Sequence, residues 1–470
     1  MPDPSAPARQ NLPVRLLVAA LTGAAAVAGF APPGISALAV LAPSVLMLLW
    51  QRTDTPAQAA MIGFAFGLAH FGTGVSWVYV SLHDIGMMPA PLAAIATLLF
   101  CAILALYPAG VGFLRGWLRA RWQIGKVALA LMLVPALWTL GEWVRGWLFT
   151  GFPWLALGYA QADSPLAGFA PLAGVHGVSF ATMLAAGLVV TVIGLPERRR
   201  RALAIAAFVA LYAAGLALRQ VAWTTPAGPP VSVALAQGNV PQSLKFEPGR
   251  FESTLDTYRR LVAAGSAELT VLPETALPRF LDLVPPDYLA SLEQLARERR
   301  GNILLGAPRR HVMDKPGASG TSGSSGTSGA ATTAGYTNSV VSLGTAPRQA
   351  YAKTHLVPFG EFIPPGFGWV LGILRIPLSD FTRGATDQRP MEFGANLRVA
   401  VNICYEDAFS AEIARQLPAA TLLVNASNVA WFGDSLAPDQ HLQISRLRAI
   451  ETGRYMLRAT NTGATAIIDE

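Results

Sequence analysis

Cysteine is scarce in this sequence: only Cys101 and Cys404 occur among its 470 residues. Two cysteines exclude a disulfide framework as a source of stability. Cys101 lies within a long apolar stretch, where we expect it to serve only in packing. Cys404 directly follows the apolar run 399–403, which has the length of a buried strand, and this position favours a nucleophile.

Charged residues are also scarce, at 13% of the chain against 52% hydrophobic residues, which is unlike a soluble globular protein. Six stretches before Arg219 contain no Asp, Glu, Lys or Arg: 16–50, 55–83, 91–114, 127–141, 168–195 and 202–218. A helix needs about 20 apolar residues to cross a bilayer. The first stretch is long enough for two helices and is interrupted by prolines at 32 and 33. We therefore predict an α-helical membrane domain of about seven spans over residues 1–223.

The basic residues are unevenly divided among the connections between these stretches. If the N-terminus is cytoplasmic, alternate connections contain nearly all of them: Arg9, Arg15, Arg52, Arg115, Arg119, Arg121, Lys126 and Arg198 to Arg201. The opposite connections contain only Arg145. This is the positive-inside pattern of membrane proteins, and it accounts for the net charge of +7 without a nucleic-acid partner. An odd number of spans places the chain after Arg219 on the periplasmic side of a bacterial inner membrane.

The composition changes at the proline-rich segment 224–230, which we interpret as a linker. Short apolar runs bounded by turn residues follow at 231–236, 269–272, 303–306, 339–343, 399–403, 422–425 and 456–459. Helix-like segments lie between several of them, at 251–264, 288–300, 409–417 and 441–454. This alternation predicts an α/β layered domain over residues 231–470.

Two segments of this second domain differ from ordinary loops. Residues 317–335 are almost entirely Gly, Ser, Thr and Ala, a composition that predicts a flexible surface insertion. Residues 359–381 are rich in large apolar side chains as well as in proline and glycine. We interpret that segment as a lid facing the bilayer surface, with a core-packed loop as the alternative.

Three residues near the ends of strand-like runs form a set that acyl-transfer chemistry can use. A thiol with an ordinary pKa of about 8.5 is mostly protonated near neutral pH, so Cys404 needs a base. Glu274 can accept that proton, and Lys353 can stabilise the negative charge that develops on a carbonyl oxygen. Glu361 and Glu406 follow Lys353 and Cys404 closely, and either can orient the lysine or relay a proton.

The surrounding motifs resemble the nitrilase superfamily, and most closely the apolipoprotein N-acyltransferases, its integral-membrane branch. The matching segments are Leu272-Pro273-Glu274, 353–361, Asn402-Ile403-Cys404-Tyr405-Glu406, 237–242, 427–433 and 458–463. Glu142, Arg145 and 151–154 extend the resemblance into the membrane half. The resemblance thus covers nearly the whole chain. It implies an αββα sandwich with a catalytic triad of Glu274, Lys353 and Cys404.

The resemblance also implies a function and supporting residues. A fatty acyl chain would pass from a membrane phospholipid to Cys404 as a thioester, and then to the α-amino group of the S-diacylglyceryl cysteine at the N-terminus of an apolipoprotein. Glu361, Tyr405 and Glu406 would support the triad. The expected lipid-binding residues are Phe246, Phe362, Pro364 and Trp431, with Phe246 in place of the tryptophan common in the family. No metal or cofactor is implied.

Two alternatives remain open at this point. The same triad would serve a membrane-tethered amidase or nitrilase in which water attacks the thioester. A transporter or scaffold is disfavoured because its spans would need charged residues along a substrate route. The family also has a further membrane helix after the catalytic domain, whereas this sequence ends at Ile468-Asp469-Glu470 within a predicted strand, so we expect that helix to be truncated or absent.

Overall fold

The computed structural model describes residues 12–312, 334–366, 368 and 380–470. The helices of the first half are α1 (Leu12–Gly29), α2 (Leu38–Gln51), α3 (Pro56–Gly74), α4 (Trp77–Ile85), α5 (Ala90–Trp122), α6 (Lys126–Arg145), α7 (Pro165–Gly194) and α8 (Arg198–Leu218). Among the described residues, five of these are long and apolar enough to cross a membrane, and the pair α3 and α4, bent by 49°, would make a sixth. The apolar helix α2 is shorter, at 14 residues. The count of about seven spans stays a prediction.

Close helix packing in the first half depends on glycine. Helix α3 lies against both α1 and α5. A Cβ atom at Gly63 of α3 would collide with the backbone carbonyl of Pro108 in α5, and one at Gly23 of α1 would collide with that of Phe66 in α3. Small residues at such crossings let two helix backbones approach closely. Close packing of this kind drives helix association in a bilayer, where the hydrophobic effect does not bring helices together.

The described part of the second half contains two five-stranded sheets, ordered β1-β2-β3-β4-β5 and β10-β9-β8-β7-β6. The strands are β1 (Val233–Leu235), β2 (Leu269–Val271), β3 (Asn302–Val312), β4 (Ala334–Gly344), β5 (Ala350–Ala352), β6 (Met391–Glu392), β7 (Arg398–Ile403), β8 (Leu422–Ser427), β9 (Met456–Thr460) and β10 (Ala466–Ile468). Strands β1 to β3 and β7 to β9 pair in parallel, and the other neighbours are antiparallel. The helices are α9 (Phe251–Ala264), α10 (Pro286–Glu298), α11 (Ser410–Ala414) and α12 (Ala437–Thr452).

The alternation of side chains along each strand builds four layers. In β7, Val399, Val401 and Ile403 point into the core between the two sheets, whereas Ala400 packs in the outer core beneath α11 and α12. In the first sheet, Leu304 faces the central core while Ile303 packs against α9 and α10. Successive side chains of a strand point to opposite faces, so each sheet contributes to two cores. The predicted αββα sandwich is confirmed.

The differences from the predicted elements are local. Each predicted strand is present, and the structure adds the short strands β5, β6 and β10. Strand β4 begins at Ala334, so the last two residues of the predicted insertion belong to a strand. The remainder of the insertion from 317 to 333, and residues 367 and 369–379 of the predicted lid, lie outside the described residues.

The two halves share one apolar core, to which α12 and the turn after Cys404 contribute. Gln440 of α12 joins them through polar contacts. Its side-chain oxygen accepts hydrogen bonds from the indole nitrogens of Trp154 at 2.7 Å and Trp77 at 3.3 Å, and its amide nitrogen donates to the carbonyl of Gly74 at 3.1 Å. The αββα sandwich is therefore fixed against one end of the helical half.

Candidate active site

The two sheets bring the three predicted catalytic residues together from the ends of different strands. Glu274 lies three residues beyond β2, Lys353 directly follows β5, and Cys404 directly follows β7. All three are buried. Cys404 has a φ of +54° where β7 passes into the 3₁₀ turn Cys404–Ala408. Such a conformation is uncommon for a residue other than glycine, and strain of this kind is concentrated at functional sites.

Lys353 lies between two carboxylates. Its Nζ is 3.4 Å from Oε1 of Glu274 and 2.8 Å from Oε2 of Glu361. The side-chain amide of Asn338 in β4 donates to both carboxylates, at 2.7 Å to Glu274 and 2.8 Å to Glu361. The backbone N–H of Val357 also donates to Glu361 at 2.9 Å. Glu361 therefore orients the lysine through direct contact.

The local charges set the protonation states of the lysine and the thiol. Burial would lower the pKa of Lys353, but Glu361 and Glu274 together raise it above its usual range, so the side chain is a permanent ammonium. Burial and the charge of Glu274 raise the pKa of the Cys404 thiol, and Lys353 with a hydrogen bond from the Asn428 backbone only partly oppose this. The resting sulfur is consequently a thiol, and a base must remove its proton during attack.

The carboxylate of Glu406 joins the ends of two strands. Its carboxylate accepts the backbone N–H of Ile403 at 2.7 Å and that of Thr354 at 2.6 Å, together with that of His355 at 3.0 Å. The hydroxyl of Tyr351 donates to both carboxylate oxygens. Glu406 thus connects the residue before Cys404 to the residue after Lys353, which fixes the two strand ends relative to each other.

We expect Glu406→Gln to destabilise the fold by about 3 kcal/mol, because an amide has one acceptor oxygen and would leave buried N–H donors unpaired. The measurement is thermal unfolding of the detergent-solubilised protein, with the exposed Glu252→Gln as the matched control. Unchanged stability together with lost activity would instead assign Glu406 to proton transfer.

Tyr405 lies at the junction of the two halves. Its hydroxyl donates to the carbonyl of Gly151 at 3.2 Å. Its ring centroid is 6.2 Å from that of Trp154, 6.3 Å from that of Phe152 and 4.9 Å from that of Phe409. The residue after the nucleophile candidate is therefore part of an aromatic cluster with the helical half.

Family models match both halves of the chain. Residues 22–188 match the apolipoprotein N-acyltransferase N-terminal domain, and residues 232–470 match the carbon-nitrogen hydrolase domain. The curated apolipoprotein N-acyltransferase of Nitrosomonas europaea is 48% identical over 461 residues, which cover 97% of this chain and 87% of the relative. The chain belongs to the apolipoprotein N-acyltransferase family.

Further relatives in this family agree with that assignment. The apolipoprotein N-acyltransferase of Chromobacterium violaceum is 45% identical, with 99% of this chain and 86% of the relative covered. That of Methylococcus capsulatus is 43% identical, with 97% and 86% covered. The resemblance predicted from the sequence motifs is confirmed, and with its several apolar helices the chain is a membrane protein.

The residues expected to bind lipid in this family are less deeply buried than the triad. Phe246, Phe362, Pro364 and Trp431 are each half-buried. The guanidinium of Arg383 lies 5.0 Å from the ring centroid of Phe362, and the hydroxyl of Ser81 in the helical half donates to the carbonyl of Trp431 at 2.9 Å. Their role in lipid binding stays a prediction.

A buried polar network beneath Cys404 was missed from the sequence. The Cys404 carbonyl accepts a hydrogen bond from the side-chain amide of Asn425 at 3.0 Å, and Nε2 of His441 lies 3.2 Å from it. Nε2 of His441 is also 2.8 Å from Asp407, which Arg458 approaches at 3.4 Å. These contacts hold the positive-φ turn of Cys404 in place. His441 occurs in a helix without ligand-like spacing, so no sequence pattern indicates this role.

Across the described ranges, no group of three or more His, Cys, Asp or Glu side chains is arranged to hold a metal ion. His355, near Lys353 in the sequence, contacts protein side chains. His355 Nδ1 lies 2.9 Å from Glu412, and its ring stacks on Phe409 with centroids 3.6 Å apart.

Proposed function

We propose that this chain transfers a fatty acyl group from a membrane phospholipid to the α-amino group of the S-diacylglyceryl cysteine at the N-terminus of an apolipoprotein, with Cys404 as nucleophile. The observation that carries the proposal is the convergence of Glu274, Lys353 and Cys404 from three strand ends in one buried site beside the membrane half. Family membership supports the acyl-transfer class.

In the first half-reaction Glu274 takes the proton from Sγ of Cys404 while the sulfur attacks the carbonyl carbon of the donor ester. The Lys353 ammonium stabilises the oxyanion of the tetrahedral intermediate. When the intermediate collapses, the carbon–oxygen bond breaks and Glu274 returns the proton to the leaving alkoxide. The products are a lysophospholipid and a thioester on Cys404.

In the second half-reaction the amine of the acceptor attacks the thioester carbonyl. Glu274 accepts a proton from the attacking nitrogen, and Lys353 again stabilises the oxyanion. The carbon–sulfur bond breaks, an amide forms, and the sulfur leaves as a thiolate that regains its proton from Glu274. A single base therefore serves both half-reactions.

The arrangement of the helical half supports a periplasmic position for this site. At the C-terminal end of α2, the carbonyls of Arg52 and Trp50 accept hydrogen bonds from Arg15 at 2.7 Å and Arg115 at 2.6 Å. Before the N-terminal end of α2, the backbone N–H of Ala31 donates to Gln443 of the second half at 3.1 Å. The helix α2 thus separates the basic residues, expected in the cytoplasm, from the catalytic domain.

The proposal is tested by mass spectrometry of the purified protein after exposure to phospholipid, followed by addition of a diacylated lipopeptide. We expect an acyl adduct on Cys404 that disappears as an N-acylated peptide forms. Release of free fatty acid without acylated peptide would support the hydrolase alternative, and an unmodified Cys404 would refute the thioester.

Glu274→Gln is expected to slow both half-reactions by about 10²-fold to 10⁴-fold, because an amide cannot accept the proton from the thiol or from the amine. Single-turnover formation and consumption of the acyl adduct measure the two rates separately. The surface variant Glu298→Gln serves as control. A normal rate in either half-reaction would remove Glu274 from that step.

A further inference from the structure

Lys245 is a second buried lysine beside the triad that neither the sequence motifs nor the proposed mechanism uses. It lies in the turn between β1 and α9 and is only 3% exposed. Its Nζ donates to the backbone carbonyl of Glu274 at 3.2 Å. Among the described residues, no carboxylate oxygen lies within 4 Å of this Nζ, so Lys245 is held without an ion-pair contact.

A buried ammonium without a contacting carboxylate is costly, and its neighbours indicate what it serves. Burial lowers the pKa of Lys245 to about 8, and the charges of Glu274 and Cys404 oppose that decrease. The ammonium is therefore within electrostatic reach of both the base and the nucleophile. The other charged groups that act on the Cys404 sulfur are Lys353, Glu361 and Arg458.

The charge balance of the site explains why a second cation, Lys245, is buried there. Lys353 makes its shorter contact with Glu361, so Glu274 is left with only part of one positive charge. Arg458 is offset by Asp407, which it approaches at 3.4 Å. Without Lys245, the carboxylates of Glu274 and Glu361 would be opposed by Lys353 alone, an excess of negative charge that opposes formation of a thiolate. Transfer of the thiol proton to Glu274 moves the negative charge from carboxylate to sulfur, and Lys245 lies near it before and after the transfer.

We propose that Lys245 is a positioning residue of this active site, which holds the backbone at Glu274 and stabilises the Cys404 thiolate when the proton has moved to Glu274. The inference rests on the proposed roles of Cys404 and Glu274. It concerns the ionisation of the sulfur, so it can be measured without lipid substrate.

The test is the pH dependence of alkylation of Cys404 by iodoacetamide. In a Cys101→Ala background Cys404 is the only cysteine of the chain, so intact-mass spectrometry reports its modification directly. We expect Lys245→Met to slow alkylation about tenfold at pH 7, because loss of one nearby opposite charge raises the pKa of a thiol by about one unit. The difference in alkylation rate between Lys245→Met and the parent should narrow above pH 8, where Lys245 itself loses its proton. Lys126→Met, at an exposed lysine, is the matched control.

Thermal unfolding separates this role from a structural one. The folded protein holds Lys245 with a pKa below the unfolded value of 10.5, so below pH 8 the buried charge destabilises the fold, and this cost is relieved as pH rises from 8 to 10.5. Lys245→Met should therefore unfold at pH 7 at the same or a higher temperature than the parent. An unshifted alkylation profile would overturn the proposal whatever the unfolding temperature, because loss of the hydrogen bond to the Glu274 carbonyl can by itself lower the stability.

A second variant tests the charge apart from the hydrogen bond. Lys245→Gln keeps a donor for the Glu274 carbonyl and removes the charge, so it should alkylate as slowly as Lys245→Met. Wild-type alkylation in Lys245→Gln would reduce Lys245 to a backbone support and contradict the thiolate role. If wild-type protein forms no acyl adduct but Lys245→Met still alkylates more slowly than the parent, the proposed function fails while the electrostatic role of Lys245 stands.

Discussion

Replacing Cys404 with alanine is expected to abolish both the acyl adduct and N-acylation of a diacylated lipopeptide. The sulfur is the atom that forms the thioester in the proposed mechanism, and alanine offers no nucleophile in its place. Cys404→Ser should retain at most weak activity, because burial and Glu274 already oppose ionisation of the thiol and an alcohol is far less acidic. Mass spectrometry after exposure to phospholipid measures the adduct in each variant.

The chain provides its own control for this experiment. Cys101 is also buried but lies within α5 of the helical half, so Cys101→Ala should leave the adduct on Cys404 unchanged. The stability of Cys404→Ala should stay close to wild type, since the turn is held by backbone contacts to Asn425 and His441 rather than by the sulfur. An adduct at wild-type level in Cys404→Ala would place the nucleophile elsewhere.

The fold class could be predicted from the sequence, and the triad proposed, because both depend on local patterns. Glu274 and Cys404 each follow a short apolar run, and the motif around Lys353 resembles the family. Helix α9 was predicted at its observed bounds because Phe251, Leu255, Tyr258 and Val262 repeat with helical spacing on the buried face.

Asn338 could not be predicted because its role depends on strand register. It lies within β4, and the N–H of Lys353 donates to its carbonyl at 2.8 Å only because β4 pairs antiparallel with β5. Strand β5 has three residues, too few for a periodic pattern to indicate it. The same limit applies to Lys245 and His441, which meet the site through tertiary packing from distant parts of the sequence.

The second large effect is expected for Lys353→Met, which replaces the ammonium by a side chain of similar length. Glu274 and Glu361 would then share the Asn338 amide without a cation between them. Removing one partner of a buried ion pair costs about 3 to 5 kcal/mol of stability, because a buried charge remains uncompensated. Loss of an oxyanion donor should also slow acyl-adduct formation by about 10²-fold to 10³-fold.

A double variant separates these two effects. Lys353→Met with Glu361→Gln removes one carboxylate as well as the cation, so the remaining charge imbalance is smaller and we expect part of the lost stability to return. Activity should not return, because the double variant still lacks the cation that faces the oxyanion. Thermal unfolding and single-turnover acylation, measured on both variants, give the two quantities. Recovery of activity along with stability would show that Lys353 acts only by balancing Glu361, and the oxyanion role would then have to pass to the backbone.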